Sequence, residues 1–360
     1  MPIEALSQAN LQSGPSIGMQ TTVSPAGAQR NPALDFTKGA LVLIMVLYHW
    51  INYFIGPQWG YYEYLHFLTP SFIFISGFMV SNVYLSKYAV TDSRLPKRLV
   101  KRGFKLLAVF LVLNVARTFI VPVLGTGVVM QHPLTLGNIF TVFVSGNLPA
   151  AGAKLAAFPI LVPISYLLML SGALMFPYRR YKYIFHFACG LLLASVPLLG
   201  LGGVQSPYLE SITIGLLGVM TGFIPISTIN NAAQHRYVLA GAYLCYTMAI
   251  TMWHDPFPLL VTGVWLTLMV IYLIGTSGGE YGIVREEITL LGKYSLLGYI
   301  SQIAILQILS AVSHRMNLGF SALVISFFAA FILTVASVEV VDRARSAAPS
   351  MDSLYKAVFA

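Results

Sequence analysis

Two cationizable side chains bracket the apolar run ALDFTKGALVLIMVLYHW, with Lys38 near its start and His49 near its end. On an α-helix, eleven steps of 100° return to within about 20° of the starting direction and advance roughly 16 Å, so the two share a face at different depths. Tyr53 continues this stripe outward and Asp35 flanks it inward. A basic group, Arg98, Lys101, Arg102 and Lys105, follows in KRLVKRGFK. Guanidinium forks and ammonium groups suit phosphate oxygens, unless they act only as charge that retains a segment at the cytoplasmic face. An imidazole deep in a membrane either packs or works as a general base or nucleophile.

Other candidates are scattered. Glu63 and His66 sit at the outer end of the second apolar run, Glu210 at that of the sixth, and His254 and Asp255 between the seventh and eighth. Each is a group serving an acceptor or an ordinary solvated helix end. Arg117 lies about two thirds of the way through the third run, where it snorkels to the outer interface or steadies an oxyanion or acceptor. Tyr299 and Gln302, three apart on one helix, line a channel or pack. Ser76, Gly77 and Ser295 read as small residues that allow helices to approach closely. His132 and His314 fall in outer segments, His235 in an inner one, and His186 about one turn inside the inner face. Cys189 and Cys245 read as free thiols packed in the bundle, and the chain has no metal-ligand spacing.

These residues need helices that cross a bilayer to position them. Of the 360 residues 57% are hydrophobic and only 9% charged, too little charge to cover a soluble domain. Runs of roughly 20 apolar residues, the length that crosses a hydrocarbon core, recur near 38–56, 64–85, 104–125, 155–177, 183–202, 208–228, 237–253, 257–275, 290–312 and 319–340. The expectation is an all-α polytopic bundle of about ten transmembrane helices. With both termini cytoplasmic, all but Lys154, Arg315 and Arg117 of the 21 Lys and Arg fall on inner segments or helix ends, as the positive-inside rule requires. The formal net charge of +9 then reflects topology and attraction to anionic inner-leaflet lipids, and gives no reason to invoke nucleic acid. Residues 1–31 read as a disordered cytoplasmic tail, 32–340 as the membrane domain, and 341–360 as a cytoplasmic C-terminal tail. The longest outer loop spans about 126–154, a length that is often functional.

The Lys-x10-His spacing after Leu34-Asp35 resembles the Arg-x10-His signature of the acyltransferase family 3 membrane enzymes, with Lys in the first position. PSFIFISGFMVSNVYL (Pro70 to Leu85) is similar to that family's FFVLSGF segment, and KRLVKRGFK to its RRxxRIxP element, without the Pro. LLGKYSLLGYISQ (Leu290 to Gln302) resembles its LGxxSLxxYLxH motif, with Gln302 where the family has His. The terminal MDSLYKAVFA is similar to tails of related glycan acyltransferases, a group that includes glucan succinyltransferase and heparan-glucosaminide acetyltransferase-like proteins. The resemblance covers 33–105 and 290–312, and the middle of the chain only by topology. It implies a plasma-membrane enzyme moving an acyl group from cytoplasmic acyl-CoA, a co-substrate rather than a bound cofactor, to a glycan or lipid-linked acceptor at the outer face. His49 would be catalytic. Lys38, Arg98, Lys101, Arg102 and Lys105 would take the CoA phosphates, and Tyr53, Glu63, His66, Arg117, Tyr299 and Gln302 would line the channel or acceptor side. A transporter or flippase, or a member that binds without turnover, is the rival expectation.

Overall fold

The computed structural model describes residues 31–56, 59–85, 94–124, 141–144, 158–203, 206–253, 256–277, 282–316 and 319–359. Of these, 91% are helical and none is in a strand. In chain order the helices are α1 (Pro32–Phe54), α2 (Trp59–Leu65), α3 (Leu68–Met79), continued by a π-helical turn (Val80–Leu85), α4 (Arg94–Leu124), α5 (Leu161–Tyr178), α6 (Ile184–Leu201), α7 (Pro207–Gly222), α8 (Ile226–Gln234), α9 (Arg236–Trp253), α10 (Phe257–Ser277), α11 (Ile283–Lys293), α12 (Ser295–Met316), α13 (Gly319–Ala347) and α14 (Pro349–Phe359).

Seven spans, or eight if α7 and α8 form one, are long and apolar enough to cross a membrane, so the chain is a membrane protein built of helices. They cover the expected spans at 38–56, 64–85, 155–177, 183–202, 257–275, 290–312 and 319–340. The other three expected spans are helical too. Residues 104–125 fall mostly within α4, 237–253 within α9, and 208–228 in α7 and the start of α8, which meet at a 101° bend.

Several boundaries differ from expectation. The third helix starts at Arg94, so the basic cluster sits on a helical face instead of in a loop. The run at 290–312 is divided, since Leu290 to Lys293 close α11 and Tyr294 caps it with a non-helical backbone before α12 begins. Residues 341–347 extend α13 and 349–359 form α14. Cys189 is buried, whereas Cys245 is exposed on α9. All of the expected tail at 1–31 except Asn31, most of the loop at 126–154, and with them His132, Lys154, His254 and Asp255, lie outside the described residues.

Local sequence explains where α1 begins. Asn31 caps it by accepting from the Ala33 amide at 3.0 Å, Pro32 occupies the first turn, and Asp35 adds a negative charge there. Each choice satisfies or complements the free amides of a helix start.

Close approach between helices depends on glycine. A Cβ at Gly39 would collide with the Ile288 carbonyl, and one at Gly292 with the Asp35 carbonyl, so α1 and α11 cross backbone against backbone. Gly77, Gly218 and Gly222 do the same for α3 and α7, where the Ser81 hydroxyl also donates to the Val219 carbonyl at 2.6 Å. On α4 and α5, a Cβ at Gly103 would stand 2.8 Å from the Ser165 carbonyl and one at Gly172 3.0 Å from that of Pro96. Lipid gives helices no hydrophobic reason to associate, so close packing at small residues must hold them.

Gly292→Ala should therefore force α1 and α11 apart at a cost of about 1–3 kcal/mol, the usual penalty of overpacking. Gly190→Ala on α6, where a Cβ meets nothing within 4 Å, should be neutral or slightly stabilising. Thermal unfolding of the two variants in detergent measures the contrast. Equal melting temperatures would rule out the crossing as a constraint.

Candidate active site

At the end of the bundle where Lys38 and Arg102 lie, α1, α3, α4, α5 and α12 surround a cavity of about 160 Å³. Its polar lining consists of Lys38, Ser76, Tyr84, Arg102, Ser295 and Tyr299, and apolar side chains such as Phe72, Ile75 and Ile164 complete the wall. The Lys38 ammonium is 2.6 Å from the Asp35 carboxylate, and Asp35 is only 4% exposed. The Arg102 guanidinium donates to the Tyr84 hydroxyl and stands 5.8 Å above that ring. The π-helical turn carries Tyr84, and such turns are frequent at functional sites because they shift a side chain out of helical register. The Ser76 hydroxyl is satisfied locally, donating to the Phe72 carbonyl at 2.8 Å.

One aromatic residue of the lining, Tyr299, is braced from behind. Tyr299 meets Phe158 edge to face with ring centroids 5.8 Å apart. Phe158 adopts φ 58°, a left-handed conformation that bulky side chains rarely take and that costs about 1–3 kcal/mol.

The cavity gathers only part of the expected site. Lys38, Arg102 and Tyr299 line it, whereas Arg98 and Lys101 are exposed on α4 outside it. Lys105 donates to the Lys356 carbonyl of α14 at 3.3 Å. His49 does not line the cavity. It is half-buried further along α1, edge-on to Tyr48 at 5.2 Å. Tyr53 hydrogen-bonds with Gln307 and lies within electrostatic reach of Arg117. Gln302 is fully buried, and neither end of its amide has a hydrogen-bond partner. Glu63 and His66 belong to α2 and the turn after it, away from the cavity. Among the described residues no group of His, Cys, Asp or Glu could hold a metal ion.

Sequence reasoning missed Tyr84, Gln307 and the pairing of Lys38 with Asp35. The pairing was detectable, since residues three apart on a helix are neighbours. Tyr84 was not, because a π turn breaks the period on which helical faces are read.

Beside the cavity, α14 docks through a polar cluster. The Tyr294 hydroxyl donates to Asp342 at 2.5 Å and accepts from Arg345 at 2.7 Å, and Lys293 reaches the same carboxylate at 2.9 Å. Burial, followed by the neighbouring Asp342, pushes the Tyr294 phenol up to about 12. Arg345 lies 4.1 Å above the Tyr355 ring. Hydrogen bonds from Lys356 and Arg345 hold Asp352 below the usual carboxylate range.

Fold and cavity together define a helical membrane protein with a pocket lined by cationic and aromatic side chains. The family described as OpgC protein matches residues 30–152, about a third of the chain, which contains α1 to α4. That similarity supports a membrane acyltransferase-like family. No curated protein and no solved structure matches.

The Lys38–Asp35 pair can be tested apart from activity. Removing one partner of a buried pair costs about 3–5 kcal/mol, whereas replacing both with apolar residues of similar volume is neutral or stabilising. Asp35→Leu should thus lower the melting temperature in detergent, and the double variant Asp35→Leu, Lys38→Met should recover most of the loss. A double variant no better than the single one would show that the two charges are not coupled.

Proposed function

We propose that this chain transfers an acyl group from acyl-CoA to a hydroxyl or amine of a cell-envelope glycan or related acceptor. The observation that carries this reading is the cavity lined by Lys38, Arg102 and Tyr299, in a chain whose first helices are similar to the OpgC family. That family comprises osmoregulated periplasmic glucan succinyltransferases.

In this reading Lys38 and Arg102, with Arg98, Lys101 and Lys105 at the rim, take the CoA phosphates through charge-assisted hydrogen bonds. The pantetheine arm follows the apolar wall, and the thioester reaches the depth of His49, roughly 16 Å beyond Lys38 along the helix. His49 takes the proton of the acceptor hydroxyl as its oxygen attacks the thioester carbonyl. The C–S bond breaks with its electron pair on sulfur, and the proton passes from the imidazole to the CoA thiolate. In the two-step variant the imidazole nitrogen attacks first and CoA leaves as the thiol. The acceptor oxygen then displaces the imidazole and gives up its proton. The donor enters from the cytoplasm and the acceptor from the outer face of the plasma membrane, with both chain termini cytoplasmic as the Lys and Arg asymmetry requires.

A second reading, a transporter or flippase of a lipid-linked envelope precursor, is favoured by the bent α7–α8 pair. Release of CoA thiol separates the two, because transport leaves the thioester intact.

Purified protein in detergent, given radiolabelled acetyl- or succinyl-CoA and a glucan, should release CoA and label the glucan. His49→Ala should lower kcat by about 10²- to 10⁴-fold with normal abundance, the usual contribution of a general base or nucleophile. Arg102→Ala should chiefly raise KM, about 10-fold or more for one charge-assisted bond, and Lys38→Arg, which keeps the charge beside Asp35, should be tolerated. A purified His49→Ala protein turning over donor and acceptor at the wild-type rate would end the assignment.

A further inference from the structure

A second cavity, of about 50 Å³, shares one wall residue, Ile75, with the cationic one. On α1 the two linings are also neighbours, Lys38 facing one cavity and Thr37 the other. Five helices, α1, α3, α7, α8 and α10, enclose this smaller space. The 101° bend after α7 brings Ile226 and Ile229 of α8 to its wall.

Its chemistry excludes a polar occupant. The Thr37 hydroxyl donates to the Ala33 carbonyl at 2.8 Å and that of Thr221 to the Leu217 carbonyl at 2.9 Å, so both are satisfied within their own helices. The Tyr272 hydroxyl donates to Asn230 at 2.8 Å and accepts from Asn31 at 3.3 Å. This chain of three ties the start of α1 and the end of α10 to α8. A water molecule needs two to four polar partners, and apolar cavities without them stay dry.

Size and position narrow the choice further. Trp265, seven residues before Tyr272 and about 10 Å deeper along α10, also lines the cavity and is 42% exposed. On a membrane span that exposure faces hydrocarbon, so the space opens sideways into the bilayer past Trp265. An apolar cavity of roughly 150 Å³ admits a benzene ring. One of a third that volume admits a segment of a single hydrocarbon chain and no ring system.

We propose that this cavity is a lipid site, filled by a segment of one phospholipid acyl chain that enters past Trp265 and lies against Ile75. The site stands whether or not the chain transfers acyl groups. Lipid tails gain no hydrophobic free energy on leaving other tails, so the preference comes from the contacts that an empty space forfeits. At the usual cost per unit of cavity volume it amounts to about 10-fold over lipid elsewhere around the bundle.

The test uses the full chain in phospholipid nanodiscs that contain a trace of phosphatidylcholine or phosphatidylglycerol with a photoreactive diazirine in one acyl chain. Adducts are mapped by mass spectrometry. Met269 and Tyr272 line the cavity and are only 9% and 5% exposed, so they should be labelled only if a chain enters. Ile274, 57% exposed on the same helix, reports the surrounding lipid. Wild type should carry adducts at Met269 or Tyr272 with either headgroup. Thr221→Leu and Ile229→Phe, which fill the space, should lower the ratio of these adducts to those at Ile274 about 10-fold. Wild-type labelling confined to exposed residues such as Ile274 would overturn the proposal without recourse to any variant. An unchanged ratio in both filled variants would overturn the location. Labelling of the buried pair by one headgroup alone, or by a photoreactive sterol, would overturn the assignment to an acyl chain.

Discussion

The arrangement of the cavity depends on the backbone crossing of α1 and α11 at Gly39 and Gly292. Gly292 abuts the carbonyl of Asp35, and Gly39 is the residue after Lys38. One contact therefore fixes the height and rotation of the helix turn that carries both members of the buried ion pair. A larger residue at either glycine would rotate or lift that turn, and a shift of an ångström is large against the tolerance of a bidentate charge contact. The equivalent crossings of α3 with α7 and of α4 with α5 fix the segments that bring Ser76, Tyr84 and Arg102 to the same space. Lipid leaves such packing as the main source of helix association, so the cavity and the bundle share one cause.

Charge is graded through this frame. At the cavity mouth Lys38 is held by Asp35, so its insertion is compensated and it still offers donors to a ligand. Arg102 is steadied by an uncharged phenol, which orients the fork without neutralising it. A phosphate-bearing ligand thus meets two oriented cations and one carboxylate, an excess of positive charge in a setting where screening by water is weak. Deeper in, Arg117 has a phenol for company and its Nε unpaired. Two arginines on one helix are therefore prepared to different degrees.

The class of fold was legible because a bilayer allows few solutions. Apolar runs of the right length can only be helices where backbone polar groups have no water, and the runs at 38–56 and 257–275 coincide closely with α1 and α10. Boundaries were less legible where charge or packing overrides hydropathy. The Arg94 to Gly103 stretch reads as a loop by its charge, yet it is helical because Gly103 and Val100 pack against α5. Lys38 and Arg102 as cavity residues followed from charge and spacing, whereas the division of the basic cluster did not. Arg98 and Lys101 differ from Arg102 only in the direction they leave α4 relative to α5 and α12, which is a tertiary fact. Gly292 and Gly298 likewise look like ordinary small residues in sequence, and only the partner helix distinguishes the obligatory one from its neighbour.

Two irregular stretches of backbone adjoin the cavity. The π-helical turn of Val80–Leu85 supplies Tyr84, and the positive φ of Phe158 lets its ring meet Tyr299. A regular helix through 80–85 would carry Tyr84 about 100° round the axis for each residue of altered register, away from Arg102. A Phe158 in an ordinary conformation would turn its ring away from Tyr299. Both departures cost free energy that must be compensated by surrounding structure, and the π-helical turn contains Ser81, which abuts the glycine crossing at Gly222. The α3–α7 crossing thus does two things at once, since the contacts that hold the two helices together also hold the irregular turn that carries Tyr84. Loosening a crossing should relax the irregular segment beside it before it unfolds the bundle. The pocket is accordingly the part of the molecule most sensitive to the size of residues that never touch its contents.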